Sequence, residues 1–355
     1  MAAQLLKALL NLRKSKSKKR KKNAGFTLLE LLVATLIATM IILALLDMVV
    51  DLLQTDRREY ARNETQREMQ MALDYMVNDI REAAYVYNET ELSDVRNFLD
   101  IPQEYTPILA FWKPETIADT DLDDLGNCSR FGNNNPDRTE CDQLIIRRRA
   151  FSLVVYLQKV NTPQERERRW KGISRIERFQ LNKYAQNGVT NLRKTERYVD
   201  PQENTVTFAS WPRIASSDPN NPRGGAPAPG AGRAQGSRAV LVDFVDFPTT
   251  NRTDNLAPPA NSRCPDENLP QAQRFYSPIP NPTSSFSSGF NNPSFMVCVS
   301  TNNTFNNGAD LSNTNQDVLI FLRGNPTGKA GVKIAPLIAV KTQAVARGVV
   351  NKQPQ

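Results

Sequence analysis

The sequence lacks histidine entirely and contains only four cysteines in 355 residues. Histidine is the commonest general base and the commonest protein ligand of transition metals, so its absence excludes imidazole-dependent triads and mixed Cys/His zinc sites. The cysteines form no Cys-x-x-Cys spacing, and no pair of carboxylates indicates hydrolytic chemistry. We therefore expect no enzymatic activity, no metal and no cofactor.

Acidic residues are absent from the first 25 positions, which hold nine of the 45 lysines and arginines. The remainder of the chain has 36 basic and 37 acidic side chains, so the net charge of +8 comes from this arm. Basic residues beside a membrane span hold that end in the cytoplasm. We therefore expect residues 88–340 in the periplasm, and no nucleic-acid partner.

Between Phe26 and Leu46 the sequence has a single charged residue, Glu30. These 21 residues predict a transmembrane helix, because at 1.5 Å per residue they match the hydrocarbon thickness. A secretory signal peptide would carry its small-residue cleavage site after the apolar region, whereas here the small residues precede it. A plain signal anchor explains the span but not Glu30, since a carboxylate in a membrane costs about 2.5–3.5 kcal/mol and usually has a partner.

The sequence Gly25-Phe26-Thr27-Leu28-Leu29-Glu30 follows the basic arm directly and resembles the class III signal of type IV pilins and type II secretion pseudopilins. The resemblance implies that a prepilin peptidase cuts after Gly25 and methylates the new amino terminus on Phe26. Residues 1–25 would then be a removable leader. It also implies that Glu30 pairs with the terminal amine of a neighbouring subunit during filament assembly.

Residues 66–87 resemble the helix continuation of minor pilins in the type II secretion J-component and pilus W-component group. Residues 72–75, 81–87 and 321–325 are similar to the hormogonium polysaccharide secretion pseudopilins of filamentous cyanobacteria. The resemblance implies a filament component that works with other pilins and an assembly platform in polysaccharide secretion and gliding. Its implied location is the inner membrane, and the pilus or cell surface after assembly. A component of a type II protein secretion pseudopilus is the alternative.

Residues 47–87 contain no proline or glycine and predict a continuation of the membrane helix. Apolar side chains recur there at spacings of three and four, which favours a face that packs on a sheet over a coiled-coil seam. The members of this stripe are Met69, Leu73, Met76, Ile80, Ala83 and Tyr87.

Beyond residue 87 the chain is rich in β-forming residues and long turn-prone connections, which predicts one exported domain over residues 88–340. We expect an α+β fold, with the long helix packed on an antiparallel sheet that carries large loop insertions. A proline-, glycine- and alanine-rich stretch predicts a mobile surface loop near 216–236, and residues 341–355 form a tail. The predicted strands are 105–112, 143–160, 172–181, 205–211, 239–247, 294–300 and 318–323. Residues 172–181 are alternatively a strand edge or a short helix, and residues 334–340 are either a last strand or disordered.

The four cysteines all lie in the part predicted to be exported, where disulfides are permitted. Three pairings are possible. We favour Cys128–Cys141 and Cys264–Cys298, because each closes a loop within a turn-rich stretch.

Three further features can be interpreted either as binding sites or as ordinary surface and core residues. The acidic residues 119–124 are similar to a calcium loop but lack its glycine and its terminal glutamate, so a solvated turn is the default. The arginines at 147–149 and 166–169 form either solvated faces or contacts to an acidic polymer. A membrane-anchored binding protein would hold a polysaccharide through Trp112, Trp170 or Trp211, although core packing is the commoner role of such aromatics.

Overall fold

The computed structural model describes residues 25, 27–203, 205–218, 221, 223–247, 263–266, 268, 275–281, 293–300 and 315–346. The chain divides into two compact units, Met1–Thr55 and Asp56–Gln355. The leader at positions 1–24, Phe26 and the end of the tail at 347–355 lie outside the described residues.

After one long initial helix, the short helices lie before residue 169, and from residue 174 onward the described elements are strands and 3-10 turns. The helices are α1 (Leu28–Arg81), α2 (Glu89–Arg96), α3 (Asp119–Leu125), α4 (Pro136–Arg147) and α5 (Pro163–Arg168). The strands are β1 (Tyr85–Val86), β2 (Tyr105–Thr116), β3 (Arg149–Val160), β4 (Ser174–Leu181), β5 (Ser237–Val245), β6 (Tyr276–Ile279), β7 (Phe295–Ser300), β8 (Gln316–Gly324) and β9 (Ile338–Ala346).

The strands form one antiparallel sheet of nine strands within the described residues, which confirms the α+β prediction. Its order is β1-β2-β3-β4-β5-β8-β7-β6, and β9 pairs with the other edge of β8. The contact between β5 and β8 is a single residue pair, Val245 with Gly324. Gly324 also lies beneath α1, where a Cβ atom would be 3.1 Å from the methyl group of Thr65.

Helix α1 ends at Arg81, so the prediction that it continues to about residue 87 is wrong. The chain leaves the helix because the sheet supplies other hydrogen-bond partners. Ala84 N–H donates to Trp112 O at 2.7 Å, and Tyr87 N–H donates to Ala110 O at 2.9 Å. The whole predicted apolar stripe is nevertheless buried, including Ala83 and Tyr87 beyond the helix.

Two strand predictions are wrong. Residues 143–147 are the last turns of α4, which starts at Pro136 after Asn135 accepts a hydrogen bond from Asp137 N–H. Residues 205–211 form turns, because the hydroxyl groups of Thr207 and Ser210 bond to each other's backbone N–H. The other predicted strands are present with bounds that differ by up to four residues, except that the last runs from Ile338 to Ala346 rather than over 334–340. Strands β1 and β6 correspond to no predicted strand.

The stretch near 216–236 contains buried parts, so the prediction of a surface loop is wrong for them. Ala228 and Ala234 belong to the main hydrophobic core. Ala234 accepts a hydrogen bond from Asp100 N–H at 2.9 Å and donates one to Phe98 O at 2.9 Å. A small side chain fits at Ala234 because the backbone there is hydrogen-bonded directly to the backbone of Phe98 and Asp100.

Both favoured disulfides are present, Cys128–Cys141 and Cys264–Cys298. The first joins the 3-10 turn after α3 to α4 and lies in a second, smaller hydrophobic core with Leu125. A cross-link of this length stabilises the fold by about 3 kcal/mol in the chain-entropy model.

The carboxylate of Asp79, near the end of α1, attaches that helix to three neighbouring strands. Lys113 Nζ of β2 lies 2.8 Å from Oδ1. Arg178 Nε of β4 lies 2.8 Å from Oδ2, and Tyr156 of β3 donates its hydroxyl hydrogen to the same oxygen at 2.7 Å. Burial alone would raise the pKa of Asp79, but these three hydrogen bonds outweigh it and lower the pKa below its usual value of 3.8.

Replacing Asp79 with Asn is expected to destabilise the domain by about 3 kcal/mol, because two nearly buried cations lose their common counter-charge. Guanidinium unfolding of the full chain in detergent, followed by tryptophan fluorescence, measures this change. The matched control is Asp74→Asn, an exposed carboxylate of the same helix, which should change stability by less than about 0.5 kcal/mol. Equal effects of the two variants would contradict the assignment of Asp79 as the attachment point.

The stabilisation by Asp79 should also depend on pH. Because the pKa of Asp79 is lower in the folded than in the unfolded chain, the folded state binds fewer protons and the contribution is complete only above the unfolded value. We expect the stability difference between the parent and Asp79→Asn to be constant from about pH 6 to 8 and to shrink below about pH 4. A difference that grows on acidification would contradict this account.

Candidate processing and assembly site

Gly25, the proposed cleavage position, is exposed and lies just before α1. A Cβ atom built at Gly25 meets no other atom within 4 Å. The described fold therefore does not itself require glycine at this position. A requirement for glycine would have to come from a partner that grips this peptide bond, such as a peptidase.

Thr27 precedes the first residue of α1 and caps the helix. Its hydroxyl oxygen accepts a hydrogen bond from Glu30 N–H at 3.3 Å, and its carbonyl accepts one from Leu31 N–H at 3.1 Å. This arrangement is one half of a Thr-x-x-Glu capping box. Sequence reasoning assigned Thr27 no role, although the capping-box spacing was available as a signal.

The cap places Glu30 in the first turn of α1, where it is exposed. A carboxylate there is favourable because the unpaired N–H groups carry partial positive charge. Among the described residues Glu30 has no ion-pair partner, and an ionised carboxylate only accepts hydrogen bonds. The site can therefore receive an ammonium group from outside this segment.

The helix surface that follows Glu30 is apolar and exposed. Every residue from 27 to 60 is exposed, and the large side chains among them include Leu36, Ile41 and Leu45. The hydroxyl group of Thr35 donates to Leu32 O at 2.9 Å, and that of Thr39 donates to Thr35 O, so neither polar group needs water. Within the described part, α1 is the one helix long and apolar enough to cross a membrane.

The three tryptophans do not form a common carbohydrate surface. Trp112 and Trp211 are buried and pack edge to face with ring centroids 5.3 Å apart. Their indole N–H groups donate to Tyr87 Oη at 2.7 Å and to Val199 O at 2.8 Å. The suggestion that they hold a polysaccharide is therefore wrong, since both rings are needed by the core. Trp170 is partly buried.

The acidic stretch 119–124 forms most of helix α3 rather than a loop. Asp119 pairs with Arg148 at 2.7 Å. Within the described ranges no group of three or more Asp, Glu, Cys or His side chains is placed to hold a metal ion. The calcium alternative has no support from this geometry, because a helix does not fold its oxygen ligands around a central ion.

Comparison with known proteins identifies the N-terminal segment. Residues 20–46 match the family described as the prokaryotic N-terminal methylation motif. No curated protein and no solved structure matches the chain significantly. The matched segment contains Gly25, Glu30 and the first half of the exposed apolar helix, and it supports a type IV pilin-like protein that is processed by prepilin peptidase. The signal and the helix are consistent with a membrane-anchored, single-pass protein.

Proposed function

We propose that this chain is a minor pilin or pseudopilin that joins or initiates a type IV pilus-like filament and supports polysaccharide secretion and gliding motility. The observation that carries the proposal is the position of Glu30. It lies in the first turn of an exposed apolar helix, five residues after a glycine that the fold does not need. The proposed role is structural, without catalytic activity.

Glu30 would act by neutralising a terminal ammonium. Cleavage after Gly25 creates a positive charge on Phe26, and in hydrocarbon both this charge and that of Glu30 are costly alone. Contact between Glu30 of one subunit and the amine of its neighbour removes both costs together. Since only one axial stagger brings the groups together, the pair would also set the register of the filament.

The size of the second unit favours a minor component over a major pilin, which has a compact body in the family that the chain resembles. The unit Asp56–Gln355 carries the nine-stranded sheet, a second hydrophobic core and two disulfides. Such a domain is suited to the end of a filament, where lateral packing does not limit its size. Its proposed location is the periplasm before assembly.

Two alternative functions assign different roles to α1 and Glu30 or to the exported cargo. A membrane-anchored extracytoplasmic binding protein would use α1 only as an anchor and would give Glu30 no role. A component of a type II protein secretion pseudopilus would share the assembly chemistry and differ in the exported cargo. The assembly tests below separate the first alternative from the proposal, and the cargo released by a deletion strain separates the second.

Replacing Gly25 with Leu should block processing without harming the fold, because a side chain there meets no atom of the described structure. Intact mass is the measurement. The parent should begin at a methylated Phe26, whereas the variant should retain residues 1–25. Thr39→Ala, which removes only a hydroxyl bonded within the helix, is the matched control and should be processed like the parent. Normal processing of Gly25→Leu would refute the cleavage assignment.

Replacing Glu30 with Gln should leave processing intact and reduce co-purification with filament partners at least about tenfold, since losing one charge of a desolvated pair costs more than 1.4 kcal/mol. Quantitative mass spectrometry of cross-linked filaments measures the loss. Glu59→Gln changes an exposed carboxylate of the same helix and should co-purify like the parent. Parent-level assembly of the Glu30 variant would favour the plain anchored protein.

A further inference from the structure

The three consecutive arginines at 147–149 are divided by a left-handed residue. Helix α4 ends at Arg147, Arg148 has φ 54° and ψ 22°, and β3 begins at Arg149. Arg148 N–H closes the helix on Leu144 O at 2.8 Å, and its guanidinium lies 2.7 Å from Asp119. The outer two side chains instead line one cavity, which Arg148 does not reach.

This cavity, here named the arginine cavity, has a volume of about 210 Å³ and lies between the end of α4, the start of β3 and the segment at 200–202. Arg147, Arg149, Gln143 and Gln202 are its exposed rim. Lys183, Glu140 and Asp200 are more deeply placed.

The charged groups of the floor satisfy one another. Lys183 Nζ lies 3.1 Å from Glu140 and 2.7 Å from Asp200. Glu140 also pairs with Lys194 at 3.0 Å and accepts the hydroxyl hydrogen of Tyr184 at 2.8 Å. Burial would raise the pKa of Glu140, but the two lysines and the tyrosine outweigh it and lower the pKa, so Glu140 stays ionised at neutral pH.

The rim arginines have no such compensation. Among the described residues, neither guanidinium lies within 4.0 Å of a carboxylate oxygen. Arg147 makes one long contact, 3.4 Å from its Nη1 to Gln202 Oε1. The charged groups of the floor are thus paired with one another, whereas the two rim arginines have no carboxylate partner among the described residues. An anionic ligand would therefore bind most favourably between Arg147 and Arg149.

The remaining rim groups define what surrounds that anion. A guanidinium fork fits a carboxylate bidentately. Gln143 offers an acceptor and two donors, and Gln202 offers two donors beside the oxygen that accepts from Arg147. These groups suit hydroxyl groups, and the partly buried ring of Phe151 offers an apolar face. The cavity is smaller than the roughly 300–1,000 Å³ of drug-sized sites, so it fits one ring better than a peptide segment.

We propose that the arginine cavity binds one carboxylate-bearing sugar unit of an acidic polysaccharide. Arg147 and Arg149 would hold the carboxylate, and the two glutamines would bond to the neighbouring hydroxyl groups. The proposal rests on the polysaccharide role in the proposed function and names its ligand class. It gives the exported domain a contact with the polymer that the buried tryptophans do not offer.

The test is calorimetric titration of the full chain in detergent with a trimer of galacturonic acid and with the methyl ester of the same trimer. We expect the acid to bind at least about tenfold more tightly than the neutral ester, because esterification removes the charge that strengthens the hydrogen bonds to the guanidinium groups. Arg147→Gln together with Arg149→Gln should weaken acid binding by a similar factor. Arg148→Gln is the matched control and should bind within twofold of the parent.

Equal binding of acid and ester, no binding of the acid, or equal losses in the double variant and in Arg148→Gln would overturn the proposal. Tighter binding of a triglutamate peptide, which carries the same number of carboxylates, would assign the cavity to a protein partner instead. The single variants Arg147→Gln and Arg149→Gln, with thermal midpoints compared to the parent, separate loss of binding from loss of folding. If the chain does not bind the acid trimer but is processed after Gly25 and assembles through Glu30, the cavity proposal is refuted and the proposed filament function is not.

Discussion

The unit Asp56–Gln355 depends on one carboxylate, Asp79, held by side chains from three adjacent strands. Apolar burial alone would allow the last turns of α1 to slide on the sheet, since Met69, Leu73 and Met76 contact a broad surface. A buried charge that must meet Lys113, Tyr156 and Arg178 allows only one arrangement. The interaction is costly to break because the remaining cations would stay desolvated. The same network therefore holds the last turns of α1 in one position on the sheet.

The N-terminal unit, Met1–Thr55, is stabilised differently. Its described residues from 27 to 55 are all exposed. Its stability therefore comes from the backbone hydrogen bonds of the helix, from the cap by Thr27 and from the environment that surrounds the apolar surface. A membrane or a bundle of like helices can both supply that environment. In the proposed function Glu30 distinguishes the two environments, because lipid alone gives a carboxylate no partner. Membrane anchoring and filament assembly would then use the same apolar surface, and only assembly would supply a partner for the charge of Glu30.

The arginine cavity shows how backbone conformation distributes side chains that are neighbours in sequence. In a continued helix, or in a continued strand, the three arginines would face directions set by a regular period. The left-handed conformation of Arg148 breaks that period and ends α4. The helix ends beside the floor of the cavity, where Lys183 pairs with Asp200. The disulfide Cys128–Cys141 holds the preceding part of α4 in place. Two cations are consequently left at one opening, while the third is neutralised by Asp119.

By itself the sequence determined the N-terminal segment and most of the strands. The leader, Gly25, Glu30 and the apolar helix are local patterns, the α+β class follows from hydrophobic periodicity, and the sequential disulfides close short loops. Tertiary structure alone decided the end of α1 at Arg81, the helical state of residues 143–147, and the burial of Trp112, Trp211 and Ala234. It also decided the division of the arginines at 147–149. These outcomes depend on partners far away in the chain, such as Trp112 O for the N–H of Ala84. Local propensity does not contain that information, because the free energy of a hydrogen bond or a buried ring depends on what the rest of the fold brings beside it.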